Sequence, residues 1–260
     1  METELDTSVK NRKSPWLFNW IPAILIRPRA TIQMINKEQK HIWLTPLVAL
    51  SVLAILVVII AAPIRRNAIQ MGLTTPPDFQ YYSADQQAQF YNAQATQTSP
   101  LFMYVFPILF SLVAIWLSWF ILGSVLHLAL TLSGSRALSI KSYNIVGWSM
   151  VPLGVRSLVQ IIAMIITRST INGAGLSGLV NAEATGVAAY LAALLGLIDI
   201  FFIWHIVLLI MGTRDYSGLA RKKALSATLI SLFIFMIIFA LPGFLQSILS
   251  TLSFTRYYFF

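Results

Sequence analysis

Two charged side chains stand where an apolar chain is least able to hold them. Arg156 lies near the middle of the apolar run 144–167 and Asp199 near the middle of the run 187–211, and a charge near a bilayer centre costs ~2.5–3.5 kcal/mol on insertion scales. If the two runs are antiparallel neighbouring helices, their midpoints share one depth. The placement then predicts an Arg156–Asp199 ion pair, with Gln160 one turn from Arg156 as a third member. Two chemistries are open to such a group: a clamp between two helices, or the lining of a path for a proton or a polar solute. With one acid and one base, and no second carboxylate to pass a proton on, the clamp is the favoured reading. His41, His127 and His205 have no His-x-x-x-His spacing and read as hydrogen-bonded or interfacial side chains, not as ligands. Cysteine is absent, which removes disulfides, thiol nucleophiles and thiolate metal sites. No metal and no cofactor is expected.

Two short patterns imitate enzyme motifs. Gly175-Leu176-Ser177-Gly178 has the Gly-x-Ser-Gly order of rhomboid-type intramembrane proteases, whose serine needs a histidine beside it. Here the serine falls in a glycine-rich connection, and His205 is expected far below it toward the other membrane face. Gly196-Leu197-Ile198-Asp199 has the outline of an intramembrane aspartyl protease, but that chemistry needs two carboxylates sharing a proton. No other apolar run contains Asp or Glu. Walker-type and dinucleotide glycine loops are also absent, so the expectation is a protein that is not an enzyme.

The elements that must position these residues follow from composition. The 260 residues are 57% hydrophobic and 10% charged, with mean hydropathy +0.75; soluble domains carry about 25% charged residues. Five apolar runs, 42–62, 101–132, 144–167, 187–211 and 224–252, each reach the ~20 residues that a helix needs to cross a bilayer. The fold class predicted is all-α, an integral membrane bundle of five transmembrane helices. Pro107, Pro152 and Pro242 read as kinks in the second, third and fifth helices. In a continuous fourth helix, Ala188, Ala192, Gly196, Asp199 and Ile203 would form one small-residue stripe that points Asp199 into the bundle, with Trp204 on the opposite side.

Outside the runs, 15–41 reads as an interfacial amphipathic segment. Trp16, Phe18 and Trp20 stand beside Arg27 and Arg29, Pro22 and Pro28 divide the segment, and Ile32 and Ile35 share one side of a short helix. Residues 1–14 read as a disordered polar tail and 253–260 as a C-terminal tail. The long connection 63–100 has no Lys or Arg after Arg66 and is rich in Gln, Tyr and Thr; it reads as an unstructured loop, with an ordered cap as the alternative. The connection 168–186, with four glycines, reads as flexible.

Eighteen Lys and Arg against nine Asp and Glu give a net charge of +9. With the N-terminus cytoplasmic, thirteen of the basic residues fall on that side and four on the other, Arg156 being within a helix. That bias predicts N-terminus in and C-terminus out. It also accounts for the charge without nucleic acid, because Arg27, Arg29, Arg221, Lys222 and Lys223 would face anionic lipids at ~1 kcal/mol each.

Three stretches carry a family resemblance. They are Arg27-Pro28-Arg29-Ala30-Thr31-Ile32-Gln33-Met34-Ile35 with Trp43 and Pro46, Gly147-Trp148-Ser149-Met150-Val151-Pro152, and Asp199-Ile200-Phe201-Phe202-Ile203-Trp204 continuing through Leu208-Leu209 to Gly212 and Lys222-Lys223-Ala224. In this order they resemble the Yip family of multi-spanning membrane proteins, first known as Rab-GTPase interactors, and its bacterial branch in particular. Pro28, Pro152, Asp199, Trp204 and Gly212 are the positions matching the family pattern. The resemblance covers roughly residues 25–250. It implies five spans with a cytoplasmic N-terminus, no enzymatic activity, and a place in a cell membrane, here a bacterial plasma membrane. Rab binding is not carried over, since the N-terminal region is very short. The function expected is a scaffold or adaptor for other membrane proteins, or an organiser of the bilayer. The alternative is a transporter, or an accessory subunit of a transport or export system, with Arg156, Gln160 and Asp199 lining a polar path.

Overall fold

The computed structural model describes residues 16–72, 75–76, 78–170, 175–180 and 187–251, with side chains to residue 242. The tails 1–14 and 253–260 lie outside the described residues. All regular structure among the described residues is helical. Three continuous helices, α3 (Leu44–Gln70), Leu101–Leu132 and Arg221–Pro242, together with the kinked Ser139–Thr167, are long and apolar enough to cross a bilayer. A fifth candidate crossing is a pair, α8 (Val187–Gly196) and α9 (Ile200–Tyr216), bent by 69° at the break between them, the geometry of a broken span or of a re-entrant loop. Leu101–Leu132 opens with one π-helical turn, Leu101–Val105, before α5 (Phe106–Leu132). The last helix, α10 (Arg221–Thr251), carries Pro242 within it.

Several helices differ in extent from the apolar runs, and for one reason. An apolar run marks the part of a helix in hydrocarbon, whereas backbone hydrogen bonding carries the helix past it. Thus α3 continues through Arg65 and Arg66 to Gln70, the third span starts at Ser139, and α10 starts at Arg221. The expectation of an unstructured loop at 63–100 is also corrected. α4 (Ala84–Gln97) is nucleated by a capping box, in which Ser83 Oγ accepts from the Gln86 backbone and Gln86 Oε1 accepts from the Ser83 backbone. Phe79 packs its ring against Tyr82 and against Phe90 and Tyr91 of α4, and Gln94 Nε2 donates to the Ile69 carbonyl at 3.3 Å.

The interfacial segment forms two short helices, α1 (Trp20–Ile26) and α2 (Pro28–Lys37), with Pro28 at the first position of α2, where a missing N–H costs nothing. Ile24, Ile32 and Ile35 are buried and dock the pair onto one end of the bundle. The turn that follows is stitched to α6 (Ser139–Ser149): buried Asn144 accepts from the Ile42 N–H and donates to the Lys40 carbonyl, and Trp148 Nε1 donates to the Ile42 carbonyl at 3.2 Å. Lys141 Nζ donates to the Asn36 and Glu38 carbonyls. Ser135 Oγ donates to the Ser217 carbonyl at 2.7 Å and Asn36 Nδ2 to Asp215 at 2.8 Å. These bonds gather α1, α2 and the turns at 133–138 and 217–220 at one end, with Arg27, Arg29, Arg221, Lys222 and Lys223 all exposed there. Arg65, Arg66 and Arg168 belong to the other end. Between the ends, large apolar side chains such as Phe110, Ile162 and Phe233 face outward, as lipid contact requires.

Candidate functional site

Two local faults in helix geometry build the site. The first divides the third span. Pro152 has no N–H and stands at the second position of α7 (Val151–Thr167). Leu153 N donates to the Met150 carbonyl at 2.9 Å, three residues back instead of four, which frees the Ser149 carbonyl from the helical ladder. The buried ring of His205 on α9 lies close to that carbonyl.

The second fault divides the fourth span and corrects the expectation of one continuous helix. α8 closes at Gly196, with Leu197 N donating to the Leu194 carbonyl and Ile198 N to that of Leu195. Asp199 then adopts extended backbone, φ −138° and ψ 178°, and caps α9. The small-residue stripe therefore ends at Gly196. Asp199 is aimed by the cap and not by helical phase: its short carboxylate satisfies backbone N–H groups left without partners at a helix start, which a residue in mid-helix does not need. The carbonyls opened by the break are met from outside, where Leu176 N shares those of Leu195 at 3.0 Å and Ile198 at 3.1 Å. Gly175 makes this approach possible. Its φ is +57°, and a Cβ there would lie 2.6 Å from the Ile198 carbonyl oxygen. The Gly-x-Ser-Gly pattern is thus explained at its first glycine by packing against the break, and Ser177 opens a short 3-10 turn.

Asp199 uses both carboxylate oxygens. Oδ1 accepts from the Phe202 N–H at 2.7 Å, and Oδ2 meets Arg156 Nη1 at 3.0 Å. The pair lies within the apolar span, and Asp199 is the less exposed partner, at 18% against 35% for Arg156. An ion pair here removes two isolated charges from hydrocarbon, and the cap gives the carboxylate the further hydrogen bond that such pairs need. Gln160 stands one turn along α7 but is not hydrogen-bonded to either member; instead it lines the adjoining cavity.

That cavity is the feature sequence reasoning missed. It occupies about 330 Å³ between α3, α5, α7, α9 and α10, and Arg156, Gln160 and His205 are its strongest polar groups. Two buried nitrogens at its wall, Arg156 Nε and His205 Nδ1, have no hydrogen-bond partner among the described residues. His205 is 2% exposed. No group of three or more His, Cys, Asp or Glu able to hold a metal occurs among the described residues.

The other family-pattern residues have structural places. Trp204 packs half-buried against the core. Gly212 lets α9 lie against α6, since a Cβ there would meet Ile145 Cδ1 at 2.5 Å, and its carbonyl accepts from Asn36 Nδ2 at 3.3 Å. His41 Nδ1 accepts from Trp43 Nε1 at 3.2 Å.

Comparison with known proteins gives a family match over most of the chain: the model of the Yip1 domain covers residues 23–242. No curated protein and no solved structure matches.

Proposed function

The chain belongs to the Yip1-domain family, and from that premise we propose that it is a non-enzymatic scaffold or adaptor that binds other membrane proteins or organises the bilayer. The observation that carries this reading is the commitment of Asp199. One oxygen starts α9 and the other holds Arg156, so the carboxylate works as a joint between α7 and the broken span and has no oxygen left without a partner. The basic end supplies a surface suited to anionic headgroups, with exposed Arg27, Arg29, Arg221, Lys222 and Lys223 beside exposed Trp16 and Phe18. The location proposed is a bacterial plasma membrane, with the basic end cytoplasmic.

Photoreactive side chains placed at Arg29 and Lys222, with Phe233 as a lipid-facing control, test the adaptor in native membranes. The expected result is one dominant membrane-protein adduct at the two basic-end positions and only lipid at Phe233. Lipid adducts alone at all three positions would remove the adaptor reading.

A second reading rests on the cavity, which reaches Arg156 and Gln160 and would form part of a polar path in a transporter or accessory transport subunit. The chain has no cysteine, so Gln160→Cys is a clean probe. Under the adaptor reading, a membrane-impermeant maleimide leaves Gln160→Cys unlabelled from either side of sealed membranes. Rapid labelling from either side supports the path.

A further inference from the structure

We infer that the cavity between α3, α5, α7, α9 and α10 is a binding site for a neutral amphiphile with a hydroxyl-bearing head, such as a monoacylglycerol. The walls are mainly apolar, supplied by residues such as Leu50, Ile115 and Phe235, which suits a hydrocarbon chain. The volume of about 330 Å³ has room for on the order of ten water-sized groups, and it lies in the range of small-molecule sites.

The polar groups define the head. His205 is buried in this wall and its Nδ1 has no hydrogen-bond partner among the described residues, and a hydroxyl, which donates and accepts, satisfies that nitrogen whichever ring position carries the proton. Ser111, Ser118 and Ser157 line the same space and spend their hydroxyl protons on carbonyls of their own helices, Pro107, Ala114 and Leu153. Their oxygens therefore present acceptors. Arg156 Nε offers a donor, also without a partner. A wall that offers acceptors at the serine oxygens, a donor at Arg156 Nε, and both at the Gln160 amide is complemented by hydroxyl groups, which donate and accept at once.

Charge narrows the class. The cation at Arg156 is already matched by Asp199 at 3.0 Å, so the site carries no net charge. An anion would have to displace Asp199, and a cation would meet the guanidinium. Both pay desolvation without a free counter-charge, while a neutral head pays for neither.

The test uses the full chain in liposomes with a diazirine-bearing monoacylglycerol, followed by peptide mapping of the adducts. Adducts are expected on the peptides that line the cavity. Unlabelled 1-O-octylglycerol should compete at least tenfold better than octanoate or octylamine of the same chain length. Ala114→Phe, which fills the space without touching a polar group, should abolish labelling while the melting temperature holds. His205→Leu should weaken labelling several-fold. Adducts confined to outward-facing side chains, undiminished labelling of a folded Ala114→Phe chain, or equal competition by octanoate would each overturn the assignment. Competition by glycerol as strong as that by octylglycerol would overturn the amphiphile in favour of a free polyol.

Discussion

Asp199 separates two roles that one substitution can pull apart. Asn keeps an oxygen able to accept from the Phe202 N–H but loses the charge, whereas Ala loses both. Asp199→Asn is therefore expected to destabilise the protein by about 1–3 kcal/mol through the orphaned guanidinium, and Asp199→Ala by a further ~1 kcal/mol for the lost cap. Arg156→Gln in the Asp199→Asn background should recover part of the loss, because it removes the unpaired cation. Reversible unfolding in mixed micelles measures all four corners of the cycle. Strictly additive losses would show that the 3.0 Å contact carries no coupling.

Elements depend on such residues most where a helix is interrupted. The break at 197–199 leaves carbonyls inside an apolar region, and a lipid-embedded carbonyl without a donor costs several kcal/mol; Leu176 N supplies the donor only because Gly175 lacks a Cβ. Gly175→Ala is expected to cost at least ~1–2 kcal/mol from the positive φ alone. It should also raise hydrogen exchange at Leu176. Unchanged exchange there would mean that the turn at 175–180 does not seal the break. Gly175 and Asp199 also show which parts of the fold were legible in the sequence. Lone charges in apolar runs announced Arg156 and Asp199 as partners, because burial alone made each improbable without the other. The break was hidden because hydropathy does not register backbone direction. Its signals were Gly196, a helix ender, followed by Asp199, a strong N-cap, and they weigh less than the length of an apolar run. The same holds for α4, where Ser83-x-x-Gln86 is a readable capping box in a stretch whose composition resembles a loop. The cavity had no signal in the sequence at all. Its wall draws on helices from one end of the chain to the other, and spaces of that kind arise from packing and not from any local pattern.

At the scale of the whole molecule, charge is sorted by end. Arg27, Arg29, Lys37, Lys40, Arg136, Lys141, Arg214, Arg221, Lys222 and Lys223 come from segments joined by the bonds of Asn36, Lys141 and Ser135 at one end. Only Arg65, Arg66 and Arg168 stand among the described residues of the other. A basic flank resists translocation, so this end is expected to be cytoplasmic. Single cysteines on the natural cysteine-free background read this directly. Lys222→Cys should react with an impermeant maleimide only after the cytoplasmic face is opened, and Tyr81→Cys, 79% exposed on the opposite side, in intact cells. Reversed labelling would invert the topology. Because the basic residues are spread over the α1–α2 segment and two turns, no single cluster sets orientation. Neutralising Arg221, Lys222 and Lys223 together should leave Tyr81→Cys labelled from outside, since the α1–α2 segment and the 133–138 turn still hold their charges. A mixed topology in that triple variant would show that the start of α10 dominates, and with it that orientation is decided late in the chain.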